Sequence, residues 1–141
     1  MIVSLHVATG GLAGALAGSR GAAVALGLVA HAAGDRMPHE DLRSRRFETA
    51  SGIAALLFLA AARGSLDPAV VGAAAASMPD LEHVLRLPRP GGRKLFPSHR
   101  LYGWHRTGGV PASVQLVAAG AILGTLAARG LRTELYGRVG R

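Results

Sequence analysis

The sequence predicts an all-α protein, an up-and-down bundle of about five Ala- and Gly-rich helices embedded in a membrane. Three observations carry that prediction. Half of the 141 residues are hydrophobic, and the apolar stretches lack the strict alternation of half-buried strands. Aromatic residues make up only 4% against 20 glycines and runs such as Gly72-Ala-Ala-Ala-Ala-Ser77, a composition that lets helices approach closely in a bilayer. The arginines fall in the gaps between apolar segments, as in loops that flank membrane helices. An Ala/Gly-rich soluble bundle would share the first two features; the mean hydropathy of +0.31 favours the membrane.

Five segments read as helices, because Ala and Leu dominate them and β-branched residues are sparse. The first, 2–18, has no basic residue before its apolar run, and His6 interrupts that run early. It therefore reads as a retained helix, although Ala15-Leu-Ala17 resembles a signal-peptide cleavage site. A tight turn, Gly18-Ser-Arg20-Gly21, leads to the second helix, 21–34, and a charged connection, 35–47, to the third, 48–62. In the next tight turn Ser65 and Asp67 precede Pro68, a cap followed by proline at the first helical position of the fourth segment, 68–85. Within that segment Pro79 kinks or restarts the helix. A long Pro- and Gly-rich loop, 86–108, precedes the fifth helix, 109–129, which alone reaches the ~20 residues that span a bilayer comfortably. The shorter helices imply a locally thinned bilayer or partial embedding. Residues 1–129 then form one helical domain and 130–141 a basic tail.

Threading these helices back and forth brings all six histidines, His6, His31, His39, His83, His99 and His105, to one side. Both long loops lie there too, and both tight turns lie on the other side. Connections longer than about 12 residues in a compact domain are commonly functional. His31 and Asp35, four apart, share a helix face, as do Asp80 and His83, three apart. An isolated His–Asp pair can simply cap a helix end. An ionisable pair at the end of an apolar segment is costly unless it is used, which weighs towards a site. His and carboxylate from several segments are the ligand set of zinc or another divalent metal. Weighed one by one, the residues centre the cluster on His31, Asp35, Asp80 and His83, with His39, His99 and His105 contributing. His6 stands at the margin, since one histidine in an apolar run is commonly a core residue. For His99 and His105, which flank Tyr102 and Trp104, the bland alternative is a membrane-interface belt with incidental histidines.

Those residues also carry a family resemblance. The order His6, then His31-x-x-x-Asp35-x-x-Pro38-His39, Pro79-Asp80-x-Glu82-His83, His99-Arg100 and Trp104-His105 is similar to that of the bacterial membrane-bound, metal-dependent hydrolase-like proteins. The family shows an early His, a Pro-Asp-x-Asp-His at a helix end and a later His-Arg-Gly-x-x-His-Ser. Here Glu82 replaces Asp, the last spacing is longer, and Arg106 stands where Ser is expected. The resemblance covers about residues 1–125 and implies a helical membrane fold and a metal more firmly than a reaction.

The function expected is that of a membrane-bound, metal-dependent hydrolase, in which metal-activated water attacks a phosphoester or acyl bond. Glu82 or Asp80 would act as general base, and Arg100 and Arg106 would hold an anionic substrate such as a phosphoester. Two alternatives stay open: a non-catalytic membrane protein whose His/Asp site is a structural clasp or a sensor, and a basic protein that binds anionic lipid with incidental histidines. Cysteine is absent, which excludes disulfides and thiolate ligands. The formal charge of +8 lacks the interleaved aromatics of a nucleic-acid surface, so nucleic acid is not an expected partner; membrane lipid is. Ten basic residues fall on the histidine side, among them Arg36, Arg43, Arg45, Arg46, Arg86 and Lys94, and six on the other. By the positive-inside rule the site faces the cytoplasm from a multi-pass protein of the bacterial inner membrane, although the basic tail is then on the opposite side.

Overall fold

The computed structural model describes the backbone of residues 1–85 and 87–139 and the side chains of residues 1–85 and 87–130. Among these the regular structure is helical: α1 (Val3–Ala15), α2 (Arg20–Arg36), α3 (Arg45–Arg63), α4 (Pro68–Ser77), α5 (Leu81–Val84), α6 (Pro97–Arg100) and α7 (Ala112–Val139). The helix starts follow from local capping. Ser19 accepts from Ala22 N–H, Ser44 from Phe47 N–H, and Asp67 from Ala69 N–H, with Pro68 at the first position of α4. Gly64 ends α3 at φ +84°, a conformation that disfavours a side chain.

Helix α1 lies at the centre, packed against α2, α3, α4 and α7. The small residues make this possible. A Cβ on Gly10 would lie 2.6 Å from the Gly72 carbonyl oxygen, and one on Gly14 would lie 2.1 Å from the Pro68 carbonyl oxygen. Helices α1 and α4 therefore meet backbone to backbone. Around that contact Val7, Ala8, Leu59, Val70, Ala73, Ala119, Leu123 and Leu126 form the apolar core. At one end of the molecule Arg20 donates to the Leu66 carbonyl and Arg63 to the Leu126 carbonyl. At the other end Ile2 N–H donates to the Gln115 side chain, and the two long loops converge.

The fourth apolar segment is not one helix. Proline at 79 offers no N–H to continue the ladder, so α4 stops at Ser77, a 3₁₀ turn spans Met78–Asp80, and α5 adds one turn. Helix α7 runs unbroken through Val139, so residue 129 marks no helix end. The side chains of the basic tail lie outside the described residues. Among the described helices one, over Ala112–Gly130, is long and apolar enough to cross a membrane.

The loops are tied together by main-chain bonds. His39 N–H donates to the Arg106 carbonyl, Glu40 N–H to Val110, Val110 N–H to Pro38, and Arg106 N–H to the Asp35 carbonyl. Gly109 (φ +103°) is required here, because a Cβ would lie 2.6 Å from the Pro38 oxygen. Trp104 donates its indole N–H to the Ala32 carbonyl (2.9 Å), and Arg36 lies over its ring and bonds the Gly103 carbonyl. Trp104 thus clamps the second loop onto α2, while Tyr102 is fully exposed.

Candidate metal centre

The site is built outward from two imidazoles whose protonation is set by their neighbours. His31 Nδ1 lies 2.8 Å from the Ala76 carbonyl oxygen, at the end of α4 just before the proline break. A carbonyl only accepts, so Nδ1 carries the proton and, in the neutral ring, Nε2 presents a lone pair. His99 Nδ1 lies 2.5 Å from Glu82 Oε1, while the other Glu82 oxygen accepts from Leu95 N–H at 2.7 Å. A carboxylate is likewise an acceptor, so His99 also directs Nε2 inward. The two Nε2 atoms are 3.3 Å apart, and Asp35 Oδ2 lies 3.0 Å from the first and 3.3 Å from the second.

Three electron-rich atoms therefore face one another in a buried space. Asp35 Oδ2 and Asp80 Oδ2 have no hydrogen-bond partner there, nor does His6 Nδ1. Such convergence is unfavourable without a shared proton or cation. Asp80 enters from the 3₁₀ turn, its Oδ1 3.7 Å from His99 Nε2 and its Oδ2 4.0 Å from His6 Nε2. His6 is fully buried, stacks on His31 with centroids 4.0 Å apart, and reaches Asp35 Oδ1 at 3.1 Å.

A second group adjoins the first. His39 Nδ1 lies 2.6 Å from the Met37 carbonyl, which by the same reasoning turns the Nε2 lone pair toward His105 Nε2 at 3.2 Å and Asp41 Oδ1 at 3.3 Å. The Met1 nitrogen joins the groups, touching both His39 Nε2 and Asp35 Oδ1. Four sets could hold a metal ion by the proximity of their donor atoms: His6–His31–Asp80, His31–Asp35–His99, His39–Asp41–His105 and Asp80–His83–His99. Every histidine of the chain belongs to at least one of them.

The weighting within the cluster differs from the sequence expectation. His83 is exposed and stands at the rim, its ring 4.5 Å from that of His99. His6 and His99 take the inner positions. Asp80 and His83, three apart across the start of α5, still contribute to one donor set, with His83 its exposed member. Asp41 is a member that sequence reading missed. In an extended segment residues two apart point to the same side, so the His39-x-Asp41 spacing held that signal.

The carboxyl groups divide into two kinds. Burial, opposed by His31 and reinforced by the Asp35 carboxylate, pushes Asp80 up to about 6. Burial would also raise Glu82, but the Leu95 N–H and the His99 ring hold it below the ordinary carboxylate range. With both oxygens engaged, Glu82 orients His99 and is not on the cavity wall, contrary to its expected place as a general base. Burial likewise opposes the charged form of His99, yet Asp35 and Glu82 outweigh it and raise that ring above its usual value.

Beside the cluster opens a cavity of about 540 Å³, walled by Asp35, Asp80, His83, His99 and His105 on one side. Its cations are Arg43, Arg45 and Lys94. Of the expected substrate-holding residues, Arg100 lines a second cavity of about 580 Å³ together with Lys94 and His99, and Arg106 is in neither lining. Arg43 and Arg45, far in sequence from the histidines of the second loop, were not singled out by the sequence. No protein-family model matches this chain, and neither a curated protein nor a solved structure matches it.

Proposed function

We propose that the chain is a membrane-bound, metal-dependent hydrolase whose site lies at the cytoplasmic ends of an up-and-down helical bundle in the bacterial inner membrane. The observation that carries the metal reading is the spacing of the acceptor atoms. Within the triads the measured separations run from 3.0 to 3.3 Å in the first and are 3.2 and 3.3 Å in the second. The edge of a tetrahedron with bonds of ~2.0–2.1 Å is roughly 3.3 Å, which favours zinc. His31, Asp35 and His99, with His6 and Asp80 beside them, would hold one ion, and His39, Asp41 and His105 a second. Bound there, a divalent cation would supply Lewis acidity, lowering the pKa of a water molecule and polarising the bond to be cleaved.

The remaining roles belong to the chain's own groups. Asp80, which lines the cavity and whose Oδ2 has no hydrogen-bond partner, accepts the water's proton. Glu82 and the Ala76 carbonyl hold His99 and His31 in the tautomer that offers Nε2. The cavity beside the donors supports catalysis over a closed structural clasp, because it leaves room for substrate. Membrane residence is supported by α7 and by large apolar side chains exposed along α1–α3, among them Leu12, Val29, Ile53, Leu57 and Phe58.

The test is elemental analysis of the detergent-purified protein, followed by hydrolysis of aryl phosphates and aryl acetates before chelation, after it, and after zinc is restored. Stoichiometric metal with chelator-sensitive hydrolysis of either ester is expected. Protein that takes up no metal overturns the reading. Tight metal without hydrolysis of any ester replaces it by the clasp or sensor.

A further inference from the structure

The hydrolase reading leaves two bond classes open, acyl and phosphoester, and the cationic side chains that line the cavity bear on the choice. Arg45 is the first residue of α3, Arg43 lies two before it, and Lys94 comes from the separate loop before α6. All three line the space that the histidines and carboxylates open into. Three cations near the helix ends are engaged elsewhere: Arg63 with Asp67, Arg36 with the Gly103 carbonyl, and Arg89 with the Glu82 carbonyl. For Arg43, Arg45 and Lys94 there is no ion pair or side-chain hydrogen bond among the described residues.

Charge decides how this wall can act. Four carboxylates line the cavity, Asp35, Asp41, Glu48 and Asp80, against the three cations. With neutral histidines the side chains thus carry an excess of one negative charge, which the Met1 amino group in the same lining balances when it is protonated, so the metal-free cavity has no net pull on an anion. One divalent cation makes the cavity positive, and a second makes it strongly so. A neutral acyl ester gains little from three uncompensated cations, whereas a phosphomonoester dianion is matched by them.

We infer that Arg43, Arg45 and Lys94 hold the phosphoryl group of a phosphomonoester against the His/Asp cluster, and that this anion binds the metal-loaded protein more tightly than the metal-free one. The inference rests on the metal reading above. Because binding linkage is reciprocal, the anion must tighten metal binding by the factor by which metal tightens the anion.

Equilibrium dialysis of radiolabelled orthophosphate against the detergent-purified full chain tests this, with metal content measured on the same samples. Zinc-loaded protein is expected to bind phosphate at least about tenfold more tightly than chelator-stripped protein, the scale of a moderate allosteric coupling. The triple variant Arg43→Ala/Arg45→Ala/Lys94→Ala is expected to keep its metal and lose the phosphate. Lys94→Gln alone is expected to weaken phosphate partially, which keeps the test open should the triple variant fail to fold. Equal phosphate binding by loaded and stripped protein, or by wild type and a metal-replete triple variant, overturns the inference while leaving the metal reading intact. Protein without metal overturns both, and the metal assay identifies that case. Competition separates the sources: displacement by micelles containing phosphatidic acid supports a lipid phosphomonoester, and displacement by glycerol phosphate supports a soluble one. Displacement by neither overturns the phosphomonoester assignment.

Discussion

Replacing Glu82 by Gln tests whether the cluster is organised from behind. Glu82 is 1% exposed, and its two oxygens each accept a hydrogen bond, from the His99 ring at 2.5 Å and from Leu95 N–H at 2.7 Å. Glutamine has nearly the same shape but only one acceptor oxygen. Its amide N–H groups must then face either the Leu95 N–H, leaving a buried donor unpaired, or His99 Nδ1. In the second case His99 can satisfy the amide only by moving its proton to Nε2, which removes the lone pair from the inner triad. A hydrogen bond to a charged group is worth ~1.5–3 kcal/mol. That range corresponds to about one to two orders of magnitude in an equilibrium constant. Residues that orient a ligand typically affect metal affinity on the order of 10–100-fold. Zinc affinity, measured by competition with a chromogenic chelator, should therefore fall about 10–100-fold in Glu82→Gln, with helical circular dichroism unchanged. A folded variant that binds zinc within about threefold of wild type, a difference worth well under 1.4 kcal/mol, would refute the positioning argument.

Other consequences of the geometry can be read independently. His6→Ala should cost about tenfold or more in zinc affinity and His83→Ala less, since His6 is inside the cluster and His83 at its rim; the reverse order would contradict the placement. Zinc binding should strengthen as pH rises through the raised pKa of His99. Below that value a proton occupies Nε2 between Asp35 and His31, and above it the lone pair is free. Calorimetry showing affinity unchanged between about pH 5.5 and 8 would count against this competition. Gly10→Val places its first added carbon 2.2 Å from Ala76 Cβ and should cost about 1–3 kcal/mol or prevent folding; an unchanged melting temperature would mean that α1 and α4 do not pack as described.

The primary sequence already contained the helical class, the approximate helix limits and the gathering of the histidines. Apolar runs with polar breaks determine where helices form and turn, and the histidines fall at or near those breaks. His31 and Asp35 were legible as a pair because four residues make one helical turn. What only the tertiary structure decided is which donors converge and what stands behind them. His83 stands exposed at the rim while His6, an isolated residue in an apolar run, comes to stack on His31. Glu82 turns to His99, seventeen residues away, and Ala76 lends a main-chain carbonyl that no side-chain motif can announce. Asp41, Arg43, Arg45 and Lys94 meet the cluster because two irregular loops pair through backbone bonds, whose register follows from glycine geometry and local fit. Periodicity governs the helices, but loops carry no period, and the chemistry of this centre depends on the loops.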